Sequence, residues 1–540
     1  MKSEKKMEFN NKGVRVYLPL IIAAAIIAGI LIGRFYAGLR AENRFIIIPK
    51  ANKLENVLNY IEDEYVDEVS KEQIVESTIP KILEDLDPHS QYIPAKDVQE
   101  VNEPLEGNFS GIGIQFNMLD DTLVVIQVIA NGPSEKVGIL PGDRIIKVDD
   151  AIVAGKKMPS DSIVSRLRGP KGTKVTVELI RRNVRDRLAF DIIRDNIPLY
   201  SVDIGYIIKK DIGYIHLNKF SRLTTEEFNT TMTDLRSKGM KKLILDLREN
   251  GGGYMDAAVY LADQFLANDE LIVYTQGKAR NREEFHSEKG GLATDIELAI
   301  LIDEGSASAS EILAGAIQDN DRGTIIGRRS FGKGLVQEQK SFSDGSALRL
   351  TIARYYTPTG RSIQKPYTHG IDDYYNDLNI RYLNGEMESP DSIKFTDSLK
   401  YITPRGKTVY GGGGIMPDIF VPLDTTGISR YYAEVRDKGL LYRFALDYSD
   451  ANRGTLSRLS TPQEFVKNLN QAAILRKFIA FAAKNGVREN PADIRVSGSL
   501  LKTQLMAYIA RNFLDNAGFY PIIQDIDNTL QKAIEVLEEK

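Results

Sequence analysis

The spacing of apolar positions changes several times along the chain, and each change predicts a different kind of structure. Residues Val16–Gly33, VYLPLIIAAAIIAGILIG, hold eighteen consecutive positions without a charge and are apolar on every side. That pattern suits a segment surrounded by hydrocarbon, at the short end of what crosses a ~30 Å core, rather than a surface helix with one apolar stripe. From Ala51 to Gln99 the apolar residues Leu54, Val57, Leu58, Ile61 and Tyr65 recur every three to four places, predicting helices. Around Pro104 the texture becomes β-rich: SGIGIQF, TLVVIQVI, DRIIKVD and KVTVELIRR are short runs divided by Gly, Pro and Asp turns, and they predict a small β domain ending near Arg194. From Ser201 unbroken apolar strands alternate with helical segments. Lys241–Leu247 leads through ENGGG into MDAAVYLADQFLA, and Leu298–Asp303 leads through EGSASAS into EILAGAIQD. This grammar predicts a strand layer covered by helices, with ligands where strands end and helices begin. Residues 366–400 are polar, Tyr-rich and aperiodic and read as an insertion. From about Thr425 the pattern is helical, with Thr461 as an N-cap, Pro462 at the first helical position and Glu464 closing a capping box.

Lys2, Lys5, Lys6, Lys12 and Arg15 precede the first apolar run, and a cationic flank stays on the cytoplasmic side. The following FYAGLRAEN offers no A-x-A cleavage site, so an uncleaved anchor is expected, with a cleaved signal peptide as the competing reading. Either way the bulk of the chain is expected outside the cytoplasm. At 540 residues the chain exceeds one ordinary core and predicts at least three domains. Its 42% hydrophobic and 27% charged residues exclude a collagen, a coiled coil or a mainly disordered protein. Lys plus Arg number 70 against 74 Asp plus Glu, so no broad basic field exists and no nucleic-acid partner is expected. Cysteine is absent, which removes thiol nucleophiles, and the four histidines, His89, His216, His286 and His369, show no zinc-helix spacing. No metal and no organic cofactor is expected.

Candidate chemistry gathers at two segments. Gly305–Glu311, GSASASE, opens a helix, where small residues admit a substrate backbone and free N–H groups favour developing negative charge; a Ser-rich N-cap is the bland reading. The second segment is Gly327–Gln337, GRRSFGKGLVQ, in which Lys333 lies between Gly332 and Gly334. A serine needs a base, and no histidine is near in sequence, so a Ser/Lys dyad is the economical proposal. A lysine acting as base near neutrality must lose roughly three pKa units, about 4–5 kcal/mol, chiefly through desolvation. Burial of Lys333 is therefore required. Gly327–Lys333 also imitates a Walker A loop, but Gly334 stands where a magnesium-binding Ser or Thr belongs.

The chain is identified from these motifs as resembling the carboxy-terminal-processing (tail-specific) proteases of peptidase family S41. The likeness runs from about residue 50 to 425 through DPHSQY (Asp87–Tyr92), SGIGIQF (Ser110–Phe116), LPGDRIIKVD (Leu140–Asp149), LRGPKGT (Leu167–Thr173), LDLRENGGG (Leu245–Gly253), SASASEI (Ser306–Ile312), FGKGLVQ (Phe331–Gln337) and ARYYTPTGRSIQ (Ala353–Gln364). The resemblance implies Ser308 as nucleophile, Lys333 as general base and Gln337 as the residue that orients the lysine. It further implies an oxyanion hole from Gly252, with Gly253 as alternative, and the amide of Ala309. Residues 105–190 are similar to a PDZ domain, with Ser110, Gly111, Ile112 and Gly113 in the place of its carboxylate-binding loop, and Arg168 as a candidate regulatory link to the protease body. His89 is read as capping or packing the N-terminal helices, His216 as packing on a strand, and Gly411–Gly414 as a close-packed turn.

The expected fold is a multidomain α+β/α/β chain. Residues 1–40 form a cytoplasmic tail and signal anchor, 45–103 an N-terminal helical region, and 104–194 a PDZ domain. Residues 195–425 form an S41 core of crotonase/ClpP-like type with its insertion at 366–400, and 426–540 a helical extension. The expected activity is that of an extracytoplasmic serine endopeptidase, single-pass in a bacterial inner membrane with its catalytic domains in the periplasm, acting on unfolded or tagged proteins bound by their C-termini. The C-terminal helices are candidates for homodimerisation or adaptor docking. The alternative is a membrane-tethered PDZ scaffold on an inactive protease body.

Overall fold

The computed structural model describes residue 20 and residues 22–32, 53–182, 184–368, 370–394 and 397–539. It divides into two compact units, Met1–Ile79 and Pro80–Lys540. In the first, residues 22–32 are helical and exposed, and helix Lys53–Glu64 buries Leu58 while Leu54, Val57 and Tyr60 stay exposed. Among the described residues no helix is long and apolar enough to cross a membrane. Positions 16–19, 21 and 33 of the charge-free run lie outside them, as does His369.

Alternation along the central strands sets the layers of the second unit. A six-stranded sheet runs in the order Val202–Lys209, Ile212–Leu217, Lys242–Asp246, Glu297–Ile302, Thr324–Gly327, Ile419–Phe420. The first pair is antiparallel and the rest are parallel. Leu243, Leu245, Leu298 and Ile300 face one side, where they pack against helices Thr224–Ser237, Met255–Asp263 and Ala309–Asp319. Ile244, Ala299 and Leu301 face the other side, where they pack against Leu530, Ala533, Ile534 and Leu537 of helix Asn528–Glu539. Burial on both faces explains why these strands read as unbroken apolar runs. It also gives the end of the helical tail a place that the sequence left open: it is the second cover of the central sheet. Arg248 locks that cover, donating to both carboxylate oxygens of Asp527 at 2.9 and 2.7 Å, while its own neighbour Asp246, fully buried, holds it from the sheet side.

A second sheet is built on strand Ala347–Tyr356, which pairs with Leu335–Ser341, with Leu271–Gln276 and with Gln91–Ile93. The last of these corrects the reading of the N-terminal stretch as wholly helical. Asp87 turns the chain by accepting from the amides of His89 and Ser90 (2.8 and 2.9 Å) and from Ser90 Oγ (2.6 Å), and residues 91–93 then join the sheet edge. The segment read as an aperiodic insertion contains helix Ile371–Leu383, whose buried residues are only Tyr374 and Arg381, too few to make a periodic signal.

The β domain has strands Ile114–Leu119, Thr122–Val128, Arg144–Val148, Lys174–Ile180 and Leu188–Ile193, with helix Ser160–Leu167, around Leu123, Ile145, Ile163 and Val177. A two-stranded stem, Asn108–Gly111 against Asp195–Pro198, carries it. The tail helices Arg430–Asp437, Leu440–Ala451, Pro462–Asn468, Gln471–Lys484 and Pro491–Ile523, the last broken at Asp515, enclose a core of their own around Phe444, Phe465, Phe478 and Leu505. They touch the β domain through Arg182 to the Asp447 carbonyl (3.2 Å), through Arg144 to Asp447 (3.6 Å), and through Arg443 to Asp120. At Thr461 the hydroxyl caps the Glu464 amide at 3.3 Å, but the Glu464 carboxylate takes the Ser460 amide (2.7 Å), so the box closes one residue early.

Candidate active site

Two strand-to-helix junctions of the central sheet meet because their residues are small. Ser306 Oγ donates to the Leu247 carbonyl (2.7 Å) and Ser310 Oγ to the Asn250 carbonyl (2.8 Å), so the outer serines of SASAS stitch this loop to the ENGGG turn. A Cβ on Gly252 would lie 2.7 Å from the Ala307 carbonyl oxygen, 2.8 Å from Ser308 Cβ and 2.9 Å from the Ala309 amide. Only glycine permits that approach, and its φ of +97° asks for glycine as well. Ser308, half-buried between the two stitched serines, stands at the N-cap of helix Ala309–Asp319 with φ +57°, ψ −112°. Such a conformation in a non-glycine residue stores on the order of 1–3 kcal/mol of strain. The surroundings must hold it in place.

Glu311 and Tyr355 do so. Glu311 is completely buried. Its Oε2 accepts from the amides of Ser308 (2.8 Å) and Lys333 (2.9 Å), and its Oε1 accepts from the amide of Gly332 (2.7 Å) and from Ser330 Oγ (2.5 Å). Tyr355 Oη donates to the carbonyls of the same two residues, 3.1 Å to Ser308 and 2.6 Å to Lys333. One carboxylate therefore ties together the amides, and one phenol the carbonyls, of two residues from separate loops. Burial pushes the Glu311 carboxyl up to about 7, with its four donors pulling back toward the charged form. Arg381 of helix Ile371–Leu383 braces the lysine loop from outside by donating to the carbonyls of Arg329 (2.6 Å) and Ser330 (3.1 Å).

Ser308, Ala309, Lys333, Gln337 and Gly252 line one cavity of about 540 Å³. Burial, and next the Arg349 charge, lower the Lys333 ammonium from its ordinary value, opposed by Glu311 and Asp87. Lys333 Nζ donates to Gln337 Oε1 (3.0 Å), and Gln337 Nε2 donates to the His89 carbonyl (2.5 Å). His89 thus serves the site through its backbone, and its ring bonds Tyr374 Oη at 2.8 Å instead of the N-terminal helices. Burial, with the Lys333 charge, lowers its imidazole to about 4. His216 does not line this cavity: it stands on strand Ile212–Leu217 of the central sheet, with Nδ1 3.1 Å from Asp203 Oδ2.

The oxyanion candidates are adjacent but not equivalent. The Gly252 amide donates to Asn250 Oδ1 (2.9 Å), whereas among the described residues the amides of Gly253 and Ala309 meet no protein acceptor. A nucleotide loop is excluded by the element after Lys333, since Leu335–Ser341 is a strand and not a helix whose N-terminus could hold phosphate. Among the described residues no cluster of three or more His, Asp or Glu side chains is arranged to hold a metal. Gly411–Gly414 packs closely, a Cβ on Gly414 falling 2.6 Å from the Ser330 carbonyl.

In the β domain the carbonyls of Ile112 and Gly113 accept from Ser134 (3.1 Å) and Ile129 (3.0 Å), while the amides of Ile112 and Gly113 meet no protein acceptor among the described residues. Ser110 and Gly111 belong to the stem, and Ser110 Oγ is buried without a partner among the described residues. Ser110 and Arg168 line a second cavity of about 770 Å³, where Arg168 donates to Glu103 Oε2 at 2.6 Å and lies 5.0 Å from the Phe109 ring centroid.

The sequence matches peptidase family S41 over residues 211–375, a PDZ domain over 110–192 and a family of unknown function over 431–515. A carboxy-terminal-processing protease of Bartonella bacilliformis is 38% identical over 314 residues, covering 57% of this chain and 71% of that one. The chain belongs to peptidase family S41. It is a serine-type carboxy-terminal-processing peptidase carrying a PDZ domain. A probable CtpA-like serine protease of Staphylococcus epidermidis is 34% identical over 363 residues, 66% of this peptidase and 71% of that protein. Among solved structures, a photosystem II D1 C-terminal processing protease aligns at 26% identity and TM-score 0.34, covering 59% of this chain and 90% of that one. Glu311 and Tyr355 were missed as members of the site, although the Ser308-x-x-Glu311 spacing is the capping-box signature that could have pointed to the first.

Proposed function

We propose that this peptidase cleaves unfolded or tagged proteins held by their C-termini in the PDZ domain, with Ser308 and Lys333 as its catalytic dyad. The observation that carries the reading is the double tie of Glu311 and Tyr355, which fixes the backbones of Ser308 and Lys333 on one cavity. Lys333, its pKa lowered by burial, removes the Ser308 hydroxyl proton as the oxygen attacks the scissile carbonyl. Gln337 holds Nζ in place from the other side. The tetrahedral oxyanion is stabilised by the Ala309 amide at the helix N-terminus together with a glycine amide. Gly253 is ready to donate, whereas Gly252 must first release Asn250 Oδ1. Lys333 then returns the proton to the leaving amine, and water hydrolyses the acyl-enzyme.

The free amides of Ile112 and Gly113 suit a terminal carboxylate, the substrate adding as a strand beside the PDZ sheet. Arg168, paired with Glu103 at the stem, is the proposed link between that occupancy and the protease body. The cationic flank and charge-free run at residues 2–33 support a single-pass anchor in a bacterial inner membrane with the peptidase in the periplasm. Protease protection of the full chain in inverted and right-side-out vesicles tests that placement. The activity is tested with a disordered reporter bearing a free or blocked C-terminus: cleavage surviving Ser308→Ala overturns the dyad, and equal cleavage of both reporters overturns tail recognition.

A further inference from the structure

The cavity around Ser308 and Lys333 holds a cation that the proposed chemistry does not use. Arg349 stands on strand Ala347–Tyr356 opposite Gln339, in the register that sets Thr351 opposite Gln337, and Arg349, Gln337 and Gln339 all line the cavity. Both of its hydrogen bonds leave from Nη2, to Asn102 Oδ1 (3.1 Å) and Gln339 Oε1 (2.9 Å). These acceptors are neutral amides. The Nε and Nη1 groups have no protein acceptor, and Arg349 forms no ion pair, among the described residues. Among the described residues Glu106 is the one carboxylate lining this cavity, and it is already engaged by Arg222 Nε (2.6 Å) and Tyr254 Oη (3.1 Å). A half-buried guanidinium has given up part of its hydration, and two amides orient it without neutralising it. Its charge is compensated when a carboxylate arrives with the ligand, in the forked geometry that arginine offers.

We propose that Arg349 forms a carboxylate subsite inside the active-site cavity, diagonal to Gln337 across the strand pair at about 7–8 Å, which ranks substrates by an acidic group close to the scissile bond. The inference rests on Ser308 and Lys333 being the place of cleavage. The carboxylate can belong to an Asp or Glu side chain or to a free chain terminus, and the two are separable by experiment. A second consequence comes from position. The Arg349 charge lowers Lys333, second only to burial. A carboxylate seated on Arg349 offsets that charge, so a substrate carrying one shifts the acid limb of its kcat–pH profile to higher pH than its neutral counterpart. A merely structural arginine leaves the two limbs together.

The test uses the full chain and internally quenched peptides that differ only by Glu or Gln near the cleavage site and by a free or amidated C-terminus. The wild type is expected to favour a carboxylate-bearing peptide about 10-fold in kcat/KM, chiefly through KM, equivalent to about 1.4 kcal/mol. Arg349→Gln should bring that ratio near one, Arg349→Lys should keep part of it, and Arg349→Glu should favour a Lys-bearing peptide. The Glu/Gln arm reports the side chain and the free/amidated arm the terminus. Loss of PDZ binding on amidation is recognised because Arg349 variants do not alter it. Ratios unchanged in Arg349→Gln and Arg349→Glu overturn the proposal. Dissociation constants of the same peptides for Ser308→Ala, read by fluorescence anisotropy, decide the subsite without catalysis, so failure of the dyad and failure of the subsite give different results.

Discussion

Replacing Glu311 by Gln separates what this residue does for stability from what it does for catalysis. Each carboxylate oxygen accepts two bonds, and an amide keeps only one such oxygen, so in Glu311→Gln either orientation of the new side chain turns an NH₂ toward two donors. Orientation toward the helix leaves the amides of Ser308 and Lys333 without their acceptor; the reverse frees Gly332 and Ser330. Two lost bonds to a charged acceptor amount to about 3–6 kcal/mol. Against this, the carboxyl lies at about 7 instead of its ordinary 4.5. Holding it ionised above pH 7 therefore costs about 3 kcal/mol, which the variant recovers. Net destabilisation at pH 8 is then about 0–3 kcal/mol. Catalysis has no such compensation: a displacement of about 1 Å at Ser308 or Lys333 lowers kcat/KM on the order of 100-fold. The sign with pH is also determined. A carboxyl raised in the folded state contributes stability that is complete below pH 4.5 and is lost as pH rises through about 7. The wild type loses this contribution on going from pH 5.5 to 8 and Glu311→Gln does not, so their gap narrows with rising pH. Denaturant unfolding at both pH values, beside hydrolysis of a quenched disordered reporter, reads both quantities. Wild-type kcat/KM in the variant, or a stability gap independent of pH, refutes the reasoning.

The same geometry sets other outcomes. Gly252→Ala places a methyl within 2.9 Å of the Ala309 amide and should abolish hydrolysis while the chain still folds, as circular dichroism will show; Gly253→Ala meets the Phe220 carbonyl at 1.9 Å and should unfold the turn. Gln337→Ala should lower kcat by about 10–100-fold with little change in KM, because it removes the acceptor that holds Lys333 Nζ and not a substrate contact. Since burial lowers Lys333, kcat should rise with pH through a limb below the ordinary 10.5 of lysine; a limb at that value speaks against Lys333 as base. Asp527→Ala should destabilise the peptidase by about 2–3 kcal/mol in denaturant titration, since Arg248 keeps Asp246 but loses a two-bond partner. Arg168→Ala should change the ratio of free to blocked reporter cleavage, and an unchanged ratio dismisses the stem link.

What could be read from sequence depended on how many residues a feature spans. The strands Lys242–Asp246 and Glu297–Ile302 are continuous apolar runs buried on both faces, and each ends at a Gly/Ser junction that proved to border the cavity. Strand Gln91–Ile93 is three residues long and owes its pairing to the Asp87 turn, so no periodicity announces it. Helix Ile371–Leu383 buries too little of itself to show a stripe. Arg349 and Tyr355 were hidden for another reason: which strand residues face the cavity depends on a register that shifts between Val336 and Gln337, and that irregularity exists only in the paired structure. The role of His89 was hidden because a sequence shows its ring, while the positioning is done by its carbonyl.

The cover provided by helix Asn528–Glu539 also sets an order of events in time. Ile244 and Ile534 are neighbours in the core although most of the peptidase lies between them in sequence. As a chain emerges, the strands that lead into Ser308 and the ENGGG turn exist long before their second wall, and closure over such a loop is among the slower steps of folding. A fragment ending near residue 425 has Ser308, Lys333 and Gln337 but an unroofed sheet, with Ile212, Tyr214, Leu301 and Ile326 open to water. Completion of the central sheet therefore waits for the last helix to dock, and a chain interrupted during synthesis carries Ser308, Lys333 and Gln337 beside a sheet with one face uncovered.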